Sequence, residues 1–293
     1  MNFRDLYYFV TLADTLHFGK AADTCFVSQP SLSIQIKKLE TSLGVQLLER
    51  TSRSVLLTDI GKVIADEARE LLQRVVGIKE LAKSAQDPFS GKLNLGIIPT
   101  LTSYLLPHVL PELTQTESFP KLSVYLAEQQ SHSLIANLKQ GKLDAALLSL
   151  PVVDEDFSVQ PLFEEELLLA VSKKHILSKK KTIQSSDLAN QALLLLEEGH
   201  CLRDQALMLC QQTGAYEEKN FRAASLEILR YMVASHIGIT LMPRLACRPH
   251  DNISFLPFAK SKPTRTIGII WRRTSPKKLL LEKMVGHIIR LMS

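Results

Sequence analysis

Two cysteines, Cys201 and Cys210, stand nine positions apart in the run Glu198-Gly-His-Cys-Leu-Arg-Asp-Gln-Ala-Leu-Met-Leu-Cys210. On an α-helix, nine steps of about 100° carry the second thiol to the opposite face. The rise of ~1.5 Å per residue sets the two about 13–14 Å apart along the axis. A disulfide needs Cα atoms within roughly 7 Å. The sulfurs can therefore bond only if the segment between them gives up its helical form. A pair with that property suits a redox switch better than a permanent crosslink.

The neighbouring residues give the two thiols different parts. Leu202, Ala206 and Leu209 share one helical face, which predicts a short amphipathic helix after Gly199. Cys201 then falls in its first turn, where unpaired N–H groups and the helix dipole favour a thiolate. Arg203 and His200 are expected to add positive charge, and Asp204 to oppose them. Cys210 sits among apolar residues, where a thiol stays protonated. One activated and one quiet sulfur is the layout of an oxidant-attacking and a resolving cysteine. A zinc site from His132, His200 and the two thiols is a poor fit, because the nine-residue spacing matches no common set. No other cofactor is implied. Cys25 reads as a buried structural residue, and Cys247 receives no role.

Bulk properties limit where such a switch could work. The 293 residues suffice for about two domains, and four cysteines are too few for a disulfide scaffold. The start, Met-Asn-Phe-Arg-Asp-Leu, lacks a signal peptide's apolar core. The longest uncharged stretch, 93–111, contains three prolines and does not read as a membrane span. A cytoplasmic protein without membrane contact is expected, and there a transient disulfide is more meaningful than a lasting one. The net charge of +5 suggests an anionic partner without locating it. Residues 1–60 hold six bases and six acids, and the surplus lies near the C-terminus, at Lys260, Lys262, Arg265, Arg272, Arg273, Lys277 and Lys278.

The N-terminal region nevertheless carries a nucleic-acid pattern. Leu6, Phe9, Val10, Ala13 and Leu16 predict one helix, and 19–24 a second. In Val27-Ser-Gln-Pro-Ser-Leu-Ser-Ile-Gln-Ile-Lys-Lys-Leu-Glu40, Ser28 is an N-cap and Pro30 is tolerated in the opening turn. Leu32, Ile36, Leu39 and Leu43 form the buried stripe. Gln29, Pro30, Ser31, Ser33, Gln35 and Lys37 are left for the outer face, where small polar side chains at a helix N-terminus can reach base edges in the major groove. Two short strands follow around a polar tip, with Arg50 and Arg53 placed to grip the DNA backbone or a minor groove. From 59 to 85, Ile64, Ala68, Leu71, Val75, Ile78 and Ala82 step by four and three, a heptad seam suited to pairing with a second copy.

Ala21-Ala22, Val27-Ser-Gln-Pro-Ser-Leu-Ser33, Leu39-Glu40, Leu43-Gly44 and Leu47-Leu-Glu-Arg50, followed by a long helix, resemble the LysR-type transcriptional regulators. The resemblance implies a winged helix-turn-helix at 1–58, a dimerising linker helix at 59–87 and a regulatory domain at 88–293. That last part is implied to be a two-lobed α/β fold like the periplasmic binding proteins. One lobe takes about 88–162 and 267–293, and the other about 163–266, with crossing segments near 161–166 and 262–268.

The sequence after 88 supports an α/β reading by itself. Strand-like runs at 92–98, 122–128, 144–150, 167–171, 192–196, 221–224 and 266–271 alternate with helical ones at 105–116, 133–141, 225–236 and 279–291. A largely parallel sheet covered by helices is expected. The loops Pro99-Thr100, Gln129–His132 and Gly199–Cys201 each follow a strand and are expected to converge on one cleft.

Glu198-Gly-His-Cys-Leu-Arg-Asp-Gln-Ala206, the second cysteine nine positions on, Phe221-Arg-Ala, Ser225-Leu-Glu and Gly238-Ile-Thr-Leu241 are similar to the peroxide-sensing branch of that family. The similarity implies that Thr100, Ser131 and the backbone near His200 hold hydrogen peroxide against Cys201. It further implies a reversible Cys201–Cys210 disulfide, resetting by cellular dithiols, a homodimer or homotetramer on double-stranded promoter DNA, and contact with RNA polymerase. Ser131 stands where threonine is usual, which keeps the hydroxyl; Asn220 stands where histidine is common. Two rival readings remain. One is a family member that binds a small organic effector in the cleft, its cysteines incidental. The other is a thiol peroxidase carrying an unrelated head.

Overall fold

A computed structural model describes residues 1–50, 55–84, 87–114, 118–119, 121–249, 252–260 and 262–292. The chain divides into two compact units, Met1–Ala85 and Gln86–Ser293.

The first unit is a helical head with a small ribbon. Helix α1 (Phe3–Thr15) is opened by a reciprocal capping box between Asn2 and Asp5. Helices α2 (Phe18–Thr24) and α3 (Gln29–Leu43) follow. The Ser28 hydroxyl caps α3, Pro30 sits in its first turn, and Gly44 ends it in the left-handed conformation at φ 69°. Strands β1 (Leu48–Arg50) and β2 (Val55–Leu57) pair antiparallel. Phe9, Leu12, Leu32, Ile36, Leu39 and Leu47 make the core. Cys25 is buried in it.

Helix α4 (Asp59–Ser84) begins against this core. A Cβ at Gly61 would come within 2.1 Å of the Leu47 carbonyl oxygen, so only glycine allows the approach. Ala65 and Ala68 are buried in the head and Ile64 packs against it. The expected heptad seam is therefore divided. Its first turns serve the chain's own head, while Leu71 and Ile78 stay exposed at 44% and 66%.

The second unit opens with β3 (Gly91–Ile97), α5 (Pro99–Thr114), β4 (Leu122–Glu128), α6 (Ser131–Lys139) and β5 (Ala145–Ser149). The long strand β6 (Phe157–Ser172) comes next, then β7 (Ala192–Leu196), α7 (Cys201–Thr213), β8 (Tyr216–Ala223) and α8 (Leu226–Ala234). Strands β9 (Thr240–Pro243), β10 (Ile253–Leu256) and β11 (Thr264–Arg272) and helix α9 (Lys278–Met292) complete it.

The sheet is mixed, not largely parallel. Its order is β10-β6-β11-β5-β3-β4, with β9 also on β6. Strand β3 runs parallel to β4 and β5, whereas β11 is antiparallel to both β5 and β6. Periodicity marks buried strands but not their direction, and the returning β11 reverses the sense. Strands β7 and β8 pair parallel in a sheet of their own. Two helices start earlier than their sequence pattern indicated. Helix α5 begins at Pro99, six residues ahead, because proline is pre-set for a first helical turn. Helix α6 begins at Ser131.

Two separate cores result. One gathers β3, β5, β11, α5 and α9 around Trp271, Leu147 and Ile269. The other gathers β7, β9, α7 and α8 around Leu169, Leu194 and Leu241. Strand β6 serves both. Phe157–Glu166 pairs with β11, and Leu167–Ser172 pairs with β9 and β10.

Candidate functional site

Thr100, Ser131 and Cys201 each lie in the first turn of a helix that follows a parallel strand: α5 after β3, α6 after β4, α7 after β7. Helix N-termini beyond strand C-termini are where α/β folds present N–H groups to a ligand. Thr100 and Ser131, expected in loops, thus belong to helices, while Cys201 opens the helix expected of it. The Gln130 amide, at the N-cap of α6, donates to the Glu198 carbonyl at 3.0 Å and ties that turn to the entry of α7. Gly199 has φ +89°, and a Cβ there would lie 2.3 Å from Gln130 Oε1.

Cys201 as a residue is half-buried, and its side chain packs against the first core. Burial pushes its thiol above the ordinary value; the positive charge of Arg265 and a hydrogen bond from Ser149 work the other way, and Asp204 adds to the rise. Arg265 has no exposed side-chain surface. It donates from Nε to Glu165 at 2.8 Å and from Nη1 to the Thr100 hydroxyl at 2.9 Å. The other Glu165 oxygen accepts the Leu245 N–H at 2.9 Å. The guanidinium thus bonds Thr100 directly, and its charge acts on Cys201.

Three expectations about charge need correction. Arg203 does not supply positive charge to Cys201. Its guanidinium lies 2.9 Å from Glu217 and donates to the Leu196 carbonyl at 3.0 Å, so it anchors α7 to β7 and β8. His200 is buried, and desolvation lowers its pKa against the pull of Glu197 and Glu128, which favours the neutral ring. The thiolate preference expected from the helix N-terminus is likewise outweighed by desolvation of the sulfur. Arg265, Ser149 and Glu165 were not singled out from sequence. The signal was the opposed charge in the two crossing segments, Glu164 to Glu166 facing Thr264 to Thr266 in the antiparallel register.

Cys210 belongs to the second core and is 5% exposed. Burial first, then the Glu217 carboxylate, pushes its thiol up. The protonated thiol expected from its apolar neighbours agrees with this direction. All four cysteines are free. Cys247 is driven up to about 12 by burial, and its thiol donates to the Pro243 carbonyl. Among the described residues no group of three or more His, Cys, Asp or Glu could hold a metal ion, and no helix is long and apolar enough to cross a membrane.

On the head, Gln29, Pro30, Ser31 and Lys37 are exposed along α3, while Ser33 and Gln35 are half-buried. The backbone of Arg50 ends β1. Arg53 lies outside the described residues.

Residues 3–62 match the model of the bacterial regulatory helix-turn-helix proteins of the lysR family, and residues 86–293 match the LysR substrate binding domain. The chain is 50% identical over 291 residues to the DNA-binding transcriptional dual regulator OxyR of Escherichia coli (strain K12), covering 98% of this chain and 95% of that one. It is 48% identical to the hydrogen peroxide-inducible genes activator of Pectobacterium carotovorum subsp. carotovorum, covering 98% and 96%. Its fold is similar to a full-length OxyR variant from Pseudomonas aeruginosa, with a TM-score of 0.79 at 37% identity, over 98% of this chain and 94% of that one.

Proposed function

Because the chain belongs to the LysR family of bacterial regulatory helix-turn-helix proteins, we propose that it is a DNA-binding transcriptional regulator, mainly an activator, that responds to hydrogen peroxide through Cys201. One observation carries the reading. A single helix holds two free thiols in two different cores, the first beside a buried cation and the second beside a carboxylate.

Peroxide enters beside the first turns of α5, α6 and α7. Thr100, Ser131 and the N–H groups after His200 hold its oxygens. The Cys201 thiolate attacks one oxygen, the O–O bond breaks, and hydroxide leaves to be protonated to water. Arg265 and Ser149 stabilise the thiolate against the cost of burial. Cys201 is now a sulfenic acid, oxidised by two electrons. Its added oxygen no longer fits the packing around the first turn of α7. Residues 201–210 lose helical form, the Cys210 sulfur displaces water, and a disulfide closes. Cellular dithiols reverse it by exchange. The protein acts in the cytoplasm as a homodimer or homotetramer, with Leu71 and Ile78 of α4 facing a second copy. α3 reads the major groove through Gln29, Ser31 and Ser33, with Lys37, Arg50 and Arg53 on phosphates, and RNA polymerase receives the signal.

Peroxide added to the reduced protein, followed by mass mapping of residues 195–215, tests the sensor. A Cys201–Cys210 disulfide is expected, with loss of promoter response in Cys201→Ser. A response that persists in Cys201→Ser overturns the thiol reading and leaves the small-effector reading. Many turnovers with a dithiol and no sequence-specific DNA binding would make the protein a peroxidase.

A further inference from the structure

Phe26 lies in the turn between α2 and α3, two residues before the Ser28 cap. Its side chain is 95% exposed, and its backbone has φ +56°. The turn closes α2 in the left-handed manner, with the Val27 N–H donating to the Ala22 carbonyl at 3.0 Å and the Phe26 N–H to the Asp23 carbonyl at 3.1 Å. Glycine or asparagine is favoured at such a position, and helix-turn-helix turns often contain glycine. Val27 packs into the head, so the turn's apolar contact with the core is already made by its neighbour. An aromatic side chain here gains nothing inside the head and strains the backbone that carries it.

We infer that Phe26 is a DNA-contacting residue that lays its ring against apolar surface of the duplex, a thymine methyl or a deoxyribose face, beside the N-terminus of α3. The occupant follows from position. The exposed Gln29 and Ser31 share this end of α3, so a duplex engaged by them lies within reach of a side chain projecting from the same turn. Phenylalanine on a thymine methyl is a known mode of apolar base readout. The inference rests on the reading of α3 as the DNA-reading helix, and the controls separate the two.

The probe is a duplex selected from a random library by the wild-type full-length chain. Phe26→Asn suits the turn, so the variant is expected to keep or raise its thermal stability while binding the duplex about fivefold to tenfold more weakly (~1–1.4 kcal/mol). The slope of affinity against salt should stay unchanged, because no phosphate contact is lost. Replacing thymine by deoxyuridine identifies the surface. A loss in wild type that is absent in Phe26→Asn assigns the methyl, and equal behaviour of both assigns the sugar. Gln29→Ala is the control for the helix. If Gln29→Ala weakens binding and Phe26→Asn does not, the inference about Phe26 is wrong and the reading of α3 stands. If neither weakens it, both are wrong. Binding is compared on protein that stays folded at the assay temperature; Phe26→Gly, which also suits φ +56°, is expected to bind as weakly, and wild-type affinity in either folded variant overturns the contact.

Discussion

The two ends of α7 carry the same functional group in opposite surroundings. At the first turn, Cys201 meets the core that contains Trp271 and the charge of Arg265. About two and a half turns on, Cys210 lies in the core that contains Leu194 and meets Glu217. A cation lowers the cost of a thiolate, and a carboxylate raises it. Burial raises both thiols, and the charge difference on top of it fits the proposed reading of attack at Cys201 and resolution at Cys210. The helix that keeps the thiols apart is also pinned, near its first turn, to the strands of the second core. Arg203 is two residues from Cys201, yet its partners Glu217 and Leu196 belong to the second core's strands. The Arg203 contacts are therefore expected to restrain unwinding of the segment.

The comparison can be broken most severely at the quiet end. Cys210→Ser should abolish the intramolecular disulfide while leaving Cys201 oxidation intact, so sulfenic acid accumulates and can be trapped by a dione reagent. A mixed or alternative disulfide forming at the same rate would contradict the assignment. Next is the pin. Arg203→Ala leaves Glu217 with the more distant Arg222 at 3.5 Å and the charge of Lys219, and removing one partner of a buried pair is expected to cost about 3 kcal/mol of unfolding free energy. Disulfide closure after sulfenic acid formation should be faster in this variant; an unchanged closure rate would show that the pin does not restrain the switch.

The active end is sharpened by pH. Cys201 is raised in the fold, so its thiolate is scarce at neutral pH and grows as pH rises toward the raised value. Stopped-flow oxidation should accelerate about tenfold per pH unit through pH 7–8, the slope set by one ionising thiol. A rate already flat there would mean that Arg265 and Ser149 overcome burial. The same sign governs stability. The protonated thiols favour the folded state below the ordinary thiol value near ~8.5, and that contribution is lost as pH rises through the raised folded values. The smallest effect belongs to the turn before α7. Gly199→Ala forces a side chain into φ +89° and should lower stability by about 1 kcal/mol while slowing peroxide reaction. Unchanged kinetics would remove the Gln130–Glu198 tie from the site.

Much of this was legible in the sequence because it is local. The helix from Cys201, the Ser28 cap and the apolar burial of Cys210 follow from spacing and near neighbours. What was missed acts over distance. Arg265 meets Glu165 and Thr100 across 100 and 165 positions of chain, which no periodicity encodes. Arg203 looked available to Cys201 because it is near in sequence, but helix geometry turns it to Glu217. The share of the α4 seam taken by the head, and the reversal of β11, are likewise matters of tertiary packing.

The central claim is that bonding Cys201 to Cys210 requires α7 to lose its helical form. Amide hydrogen exchange over residues 201–213, read before and after peroxide on protein whose disulfide is mapped in the same digest, tests it most directly. The account predicts protected amides in the reduced protein and a large loss of protection in step with the disulfide. A mapped Cys201–Cys210 bond with the protection of α7 unchanged would contradict it.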